Sequence, residues 1–334
     1  MEIKVQHSKM RSEFRRILIK YGFTSEKADK CADIFALNSL EGVYSHGVNR
    51  FHRFVSNIID GYIIPDAEPA LIHGTGSLEQ WDGNLGPGPL NASFAADRAI
   101  ELANNNGIGL IAMANTNHWM RGGTYGWQAA GKGFVFIGWT NTEANMPAWG
   151  AKDPRLGNNP LVFALPFDNK AIVLDFAMSQ FSYGKMELYQ MEGKQLPFPG
   201  GFNKAGKLTT DPHGILETRR TLPVGYWKGA GLSLILDILA TVLSGGFSTG
   251  EITARKVEYG LSQVFIAINM KSLYNYPEVD KTIHRIISSF KESEPVDNKS
   301  EIRYPGENII KTTTENLHNG IPVNAVIWKK ILSL

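Results

Sequence analysis

Glu41-Gly42-Val43-Tyr44-Ser45-His46-Gly47-Val48-Asn49-Arg50 is the stretch of this chain richest in side chains that can do chemistry. An imidazole gives or takes a proton near neutral pH, and a guanidinium grips a carboxylate through two parallel bonds. Together, His46 and Arg50 suit an anionic substrate that carries a carbonyl. Ser45 is placed to cap the helix that follows. With that helix beginning near His46, Arg50 lies one turn further along the same face. The plain alternative is an ordinary helix start with an exposed His and Arg, and spacing alone leans toward it.

A second polar stretch, Asn115-Thr116-Asn117-His118-Trp119-Met120-Arg121-Gly122-Gly123, follows an apolar strand candidate. Polar side chains at a strand's end, ahead of Gly and a helix, often line a site. His118 is a second acid/base candidate, and a loop histidine bonded to backbone is the equal alternative. Trp139-Thr140-Asn141 closes the next strand, Gly157-Asn158-Asn159-Pro160 is a turn before another, and Asp175 and Ser179 follow a third. Gly225-Tyr226-Trp227-Lys228-Gly229-Ala230-Gly231 enters the most apolar helix. Exposed amides, glycines and a lysine at a helix start allow close approach of a phosphate, although such glycines are common.

Two phosphate-loop look-alikes fail on context. Gly107 to Ala112 has dinucleotide-fingerprint spacing, but a helix precedes it and a strand follows, the reverse of what the fingerprint needs. Gly201 to Lys207 lacks a preceding strand and is followed by Leu208 where Mg²⁺ needs a hydroxyl, so it reads as a Gly-rich surface turn. The eight histidines form no HExxH and no cluster with carboxylates, so no metal site is expected.

The elements that must position these groups follow from periodicity. Residues 8–63 read as three helices, with Phe14, Ile17, Leu18 and Tyr21 on one stripe and Phe51, Phe54, Val55 and Ile58 on another. Strands are expected over 70–73, 78–81, 109–114, 134–140, 161–165, 171–176 and 262–268, and helices over 90–104, 123–131, 229–243, 277–290 and 324–334. Residues 190–211 are polar with little periodicity and 291–300 form a charged loop. The helix over 229–243 is expected in the core, too short to span a bilayer and interrupted by Asp237.

Length (334 residues), 43% hydrophobic and 20% charged content describe one large or two globular domains. A net charge of +2 without a basic run gives no reason to expect nucleic acid. The single cysteine, Cys31, has no partner for an internal disulfide and fits a buried thiol in a reducing compartment. The polar residues 1–9 lack a signal peptide's apolar core. A cytoplasmic protein with no membrane partner is the expectation.

Taken in order, the motifs resemble the malate/L-lactate dehydrogenase family that lacks a Rossmann fold. They are Ser-His-Gly-x-x-Arg at Ser45 to Arg50, Asn-x-x-His at Asn115 to His118, Gly-x-Asn-Pro at Gly157 to Pro160, Asp-x-x-x-Ser at Asp175 to Ser179, and Lys-Gly-x-Gly-Leu at Lys228 to Leu232. The likeness covers nearly the whole chain and extends to members that reduce a diketo sugar acid at C2 with NADH, as homodimers. It implies an α/β, non-Rossmann NAD-binding fold: a mixed β-sheet domain (69–274) and a helical domain built from both termini (1–68 and 275–334). It implies His46 as proton donor, and cofactor contacts from Ala171, Ile172, Val173, Leu174, Asp175, Phe176 and Ala177, from Trp227 and Lys228, and from Gly306, Glu307 and Asn308. Glu307-Asn308, and the bulky Phe181-Ser182-Tyr183 ahead of Gly184-Lys185, depart from the pattern of relatives.

The expected reaction is therefore NADH-dependent reduction of a 2-oxo sugar acid, with NADPH not distinguished. Arg50 would hold the C1 carboxylate, and Ser45, His118, Asn117 and Thr140 would orient the carbonyl and the hydroxyls. Between the two histidines, sequence position leaves a tie. His46 is preferred for its nearness to Arg50, for the room left by Ser45 and Gly47 (His118 is followed by bulky Trp119), and for the resemblance. Its titration is expected near the unperturbed imidazole value of about 6.5. The alternatives are a malate, lactate, ureidoglycolate or cyclic imino acid dehydrogenase of the same fold, and a sugar-acid binding protein without catalysis.

Overall fold

The structure, a computed structural model, describes residues 2–168, 170–298 and 300–334; Met1 of the N-terminal part and Lys299 of the charged loop lie outside the described residues. The chain opens on a short strand, β1 (Glu2–Val5), followed by α1 (His7–Lys20), α2 (Ser25–Leu40) and α3 (Val48–Ile59). The three expected helices are present, and their apolar stripes meet as aromatic contacts. Phe14 stacks on Phe51 at 4.0 Å, and Phe35 meets Phe51 edge-on at 5.1 Å. Each such pair adds about 0.5–1.5 kcal/mol beyond simple burial. Cys31 is buried in this cluster.

Next come β2 (Ala70–Thr75), β3 (Leu78–Asp82), α4 (Gly88–Asn106), β4 (Ile108–Thr116), α5 (Gly123–Ala130) and β5 (Phe134–Thr140). Two short strands, β6 (Met146–Pro147) and β7 (Pro154–Leu156), lead to β8 (Leu161–Phe167) and β9 (Lys170–Phe176). The polar stretch expected over 190–211 holds the end of α6 (Tyr183–Met191) and a minimal hairpin, β10 (Gly201–Phe202) with β11 (Leu208–Thr209), before α7 (Pro212–Thr218). Then follow α8 (Trp227–Ser244), α9 (Thr249–Ala254), β12 (Leu261–Asn269), α10 (Tyr276–Lys291), α11 (Ile309–Asn319), β13 (Ile321–Asn324) and α12 (Ala325–Leu332).

Seven strands form one mixed sheet in the order β2-β3-β4-β12-β5-β8-β9. Only β3 and β4 run parallel, joined by α4 as a crossover; the other neighbours are antiparallel. The look-alike fingerprint is a helix stop: Gly107 ends α4 at φ +82, and a Cβ on Gly109 would fall 2.1 Å from the Ala99 carbonyl oxygen. β1 and β13 were not legible as strands, because each is short and pairs only with the other, antiparallel, across the whole length of the chain. That pairing, with α12 against α3 and α11 against α2, joins the C-terminal elements to the N-terminal helices.

The expected placement of the apolar helix in the core holds for one face only. α8 is 18 residues long, which by length and composition alone is enough to cross a membrane and corrects the expectation that it is too short. Ala230, Ser233, Leu236 and Ala240 are buried, but Leu234, Ile235, Ile238 and Val242 are exposed, Val242 by 68%. The helix is apolar all round and the sheet covers one side only. Its Asp237 accepts from Asn141 Nδ2 and from the Thr249 amide, which ties the helix to the sheet and to α9.

Candidate active site

Strand register gathers the candidate residues at one end of the sheet. Thr116 at the end of β4 pairs with Leu261 at the start of β12; Trp139 near the end of β5 pairs with Leu161, which pairs with Phe176 at the end of β9. The loops leaving these ends converge, and the loop between α2 and α3 is set against them.

That α2–α3 loop is pinned by α2. Tyr44–His46 form a single 3-10 turn, and α3 begins at Val48 rather than near His46. Ser45 does not cap it, which corrects the expectation. The cap comes from α2, where Ser39 Oγ accepts from the Val48 amide at 2.8 Å. Such close approach requires Gly47, since a Cβ there would lie 2.2 Å from Ser39 Oγ. Asn38 Nδ2 donates to the His46 carbonyl, and Ser45 Oγ lies 3.1 Å from His46 Nδ1. An outside partner for Ser45 could be read in no local pattern, because the capping hydroxyl sits nine residues upstream of the amide it holds.

The two histidines meet. The rings of His46 and His118 stack at 5.7 Å with an interplanar angle of 20°. His118 Nδ1 accepts from the Met120 amide at 3.0 Å, so the neutral ring carries its proton on Nε2 and presents a donor there. Two further links hold the loops together. Arg121, 5% exposed, pairs with Glu41, and Thr124 Oγ1 donates to Asn38 Oδ1 at 2.8 Å.

His118 lines a cleft with Arg50 and His46 stacks on it, and both imidazoles are held well below the ordinary imidazole value. For His46 the causes are burial first, then His118, Arg50 and Arg121; for His118 they are burial, then Arg50 and Arg53. The expectation of an unperturbed titration near 6.5 is thereby corrected: burial first, and then the neighbouring guanidiniums, favour the neutral ring. Among the described residues Arg50 has one acidic neighbour at ion-pair range, Glu258 at 3.8 Å, too long for a hydrogen bond. The guanidinium keeps its donors available for an anion.

Some expected site residues give their hydrogens to the frame. Thr140 is buried and its hydroxyl donates to the carbonyls of Asn141 and Ser262, so it does not face the site. It closes the end of β5 against β12. Asn117 spends its Nδ2 on the carbonyls of Tyr62, Leu85 and Gly86, fixing the loop that carries His118. Asn159 of the Gly-x-Asn-Pro turn accepts from the Thr142 amide and donates to Ser233 on α8.

A second cleft, of about 310 Å³, is lined by Val173, Asp175, Gly306, Asn308, Arg121 and Tyr304 among others. Two of the three expected cofactor segments therefore come together beside the histidine loops. The Pro305 carbonyl accepts from the Val173 amide on the edge strand, and Gly306 has φ +88. A Cβ at Gly306 would press on Val173 N at 3.2 Å and Trp127 at 3.3 Å, so glycine keeps this floor open. Asp175 Oδ2 accepts from the Gly123 amide at the start of α5, and burial, opposed by that amide and by Arg121, raises its pKa. Trp127 Nε1 is buried without a partner beside this cleft. Open glycine backbone, a guanidinium and an unused indole donor fit a nicotinamide dinucleotide. Glu307 faces away, bonded to Lys291 at 2.6 Å, and Trp227 and Lys228 do not line this cleft; Trp227 is 63% exposed at the start of α8. Ala171, Ile172, Leu174, Phe176 and Ala177 flank Val173 and Asp175 on β9 and just beyond it.

Sequence reasoning passed over Glu41, Arg53, Arg121 and Glu258. Arg53 was findable, since it stands three residues after Arg50 on the same helix. Glu258 was not, because its partner is more than two hundred positions away in sequence.

Comparison with known proteins adds the family. The sequence profile described as malate/L-lactate dehydrogenase matches residues 5–332. The chain is 48% identical over 333 residues to the 2,3-diketo-L-gulonate reductase of Escherichia coli K12, covering 99% of this chain and 100% of the relative. Among solved structures, malate dehydrogenase from Entamoeba histolytica superposes with a TM-score of 0.94 at 26% identity, covering 100% of this chain and 98% of that one. Malate dehydrogenase from Pyrococcus horikoshii gives 0.90 at 28% identity, over 98% and 93%. These matches, the mixed sheet and the ordered motifs agree: the chain belongs to the malate/L-lactate dehydrogenase family.

Proposed function

We propose that this protein reduces 2,3-diketo-L-gulonate at C2 to 3-keto-L-gulonate with NADH. The observation that carries the proposal is the stacked His46–His118 pair, with His118 and an available Arg50 lining one cleft. The full-length relative from E. coli, named for that substrate, supports the choice of acid. When bound, NADH supplies the hydride. Arg50 receives the C1 carboxylate as a bidentate pair. His118 donates from Nε2 to the C2 oxygen and orients it. His46, with Ser45 on its Nδ1, delivers the proton that the developing alkoxide needs. Val173, Asp175, Gly306 and Asn308 would hold the cofactor, with Trp227 and Lys228 reached from elsewhere on its surface. Asp175 contributes an acceptor and Gly306 a gap for close approach.

A homodimer belongs to the same proposal, supported by the exposed Leu234, Ile235, Ile238 and Val242 of α8. Light scattering at assay concentration should give twice the chain mass; a fully active monomer would refute it. The cytoplasmic location, too, is proposed, in keeping with the free buried thiol of Cys31.

The cofactor half is tested by titrating the protein with NADH and following fluorescence. A saturable change is expected; none at all would favour a sugar-acid binding protein without catalysis. The substrate half is tested by Arg50→Lys. A point charge replaces a planar fork, so the loss is about 1.5–3 kcal/mol, read as a rise in KM for the acid of roughly tenfold to a hundredfold. An unchanged KM would show that Arg50 does not touch the carboxylate.

A further inference from the structure

α3 has two working faces. Val48, Phe51, Val55 and Ile58 are buried in the helical core. Arg50, Arg53 and Asn57, at helical spacing, line a cleft together with Asn117, His118 and Glu258. The proposed reaction uses Arg50 and His118 for the carboxylate and carbonyl end, which leaves the other groups without a task.

Those groups form an unsatisfied mixture of donors and acceptors. Arg53 makes no hydrogen bond or ion pair among the described residues, yet its charge reaches both Arg50 and His118. Asn117 is 2% exposed; its Nδ2 is fully engaged, while its Oδ1 accepts nothing. Glu258 accepts from the Glu143 amide at 3.2 Å and stands off Arg50 at 3.8 Å. A buried acceptor left without a donor is rare in native proteins and calls for an explanation. A short 2-oxo acid has no hydroxyl to offer once its carboxylate and carbonyl are held. A polyhydroxy acid has several, and each hydroxyl both donates and accepts.

We infer that this cleft is a subsite for the substrate's hydroxylated tail, in which Arg53 donates to oxygens beyond C2 and Asn117 Oδ1 accepts from a tail hydroxyl. The enzyme thereby selects long polyhydroxy 2-oxo acids over short ones. This inference rests on the reductase activity proposed above.

Arg53→Gln tests it, because Arg53 holds no hydrogen bond or ion pair among the described residues that the change would break. Steady-state NADH oxidation is measured with 2,3-diketo-L-gulonate, and with pyruvate as slow substrate or competitive inhibitor. The KM for 2,3-diketo-L-gulonate should rise about tenfold with kcat changed less than about twofold, the pattern for a contact made equally in ground and transition states. The ratio of that KM to the constant for pyruvate should rise by about the same factor. Asn57→Leu should move the ratio in the same direction. A ratio that stays fixed, whether both constants rise together or neither does, overturns the subsite. So does a KM for oxaloacetate that rises as much as that for 2,3-diketo-L-gulonate, since Arg53 would then be reading a second carboxylate. A wild-type protein that oxidises NADH with pyruvate or oxaloacetate but never with 2,3-diketo-L-gulonate removes the proposed activity itself, and this inference with it.

Discussion

His46→Asn is expected to lower kcat for reduction by ~10²–10⁴, the usual contribution of a general acid, and to leave NADH affinity within about a factor of two. Asparagine keeps a polar group of similar reach but carries no transferable proton. His46 and His118 are stacked, so either ring could in principle serve. What separates them is Nδ1. That of His118 is committed to the Met120 amide, which fixes the ring as a neutral Nε2 donor, whereas that of His46 faces only the Ser45 hydroxyl, which can turn to donate or accept. His46 can therefore change protonation state without breaking a backbone bond. His118→Asn should act mainly on substrate affinity. If His118→Asn abolished the pH dependence while His46→Asn kept it, the roles would have to be exchanged.

The pH profile carries the sign of the environment. Reduction needs the His46 imidazolium, and burial, His118, Arg50 and Arg121 hold its pKa well below the ordinary value. In the free enzyme kcat/KM for reduction should thus fall with rising pH through a break well below about 6.5. A substrate carboxylate on Arg50 offsets one of those cations and favours the charged ring. The break in kcat should therefore lie at higher pH than the break in kcat/KM, with proton uptake on substrate binding. Coincident breaks near 6.5 would mean that the ring senses neither arginine.

Glu41→Gln is expected to destabilise the protein by about 3 kcal/mol, because it leaves Arg121 buried without its carboxylate. The lower end of the range for a broken buried pair applies, since Asp175 faces Arg121 from β9. The same change should loosen the histidine pair, because Glu41 and Arg121 join the loop of His46 to the loop of His118. Denaturant unfolding reads the loss as a lower midpoint at unchanged slope. Adding Arg121→Met to Glu41→Gln should recover part of it. A midpoint unmoved by Glu41→Gln would place the pair among contacts that contribute nothing.

The fold was legible where hydrophobic periodicity is local. β5 runs over Phe134–Thr140 as its continuous apolar pattern predicts, and α3 follows the stripe of Phe51, Val55 and Ile58. Elements whose partner is remote were not legible: β1 and β13 gain meaning only from each other. α8 misled because apolar content reports what can be buried, not what a single chain buries. At the site, His46, Arg50 and His118 were legible because their chemistry shows in their types. Thr140 was read as a substrate ligand because sequence shows which groups are polar, not that its hydroxyl hydrogen is already given to a carbonyl 122 positions away; Asn117 has likewise given its amide hydrogens, one to a carbonyl 55 positions away, which leaves only its Oδ1 for a substrate. For residues 171–177 and 306–308 the resemblance gave an expectation that periodicity could not; the two segments meet where Gly306 lies against Val173.

The most direct measurement is NADH oxidation by the purified protein with 2,3-diketo-L-gulonate, pyruvate and oxaloacetate side by side, comparing kcat/KM. Two guanidiniums, the His118 imidazole with His46 stacked on it, and an unpartnered Asn117 acceptor predict the highest value for 2,3-diketo-L-gulonate. Faster turnover of oxaloacetate or pyruvate, with 2,3-diketo-L-gulonate left unreduced, would contradict it.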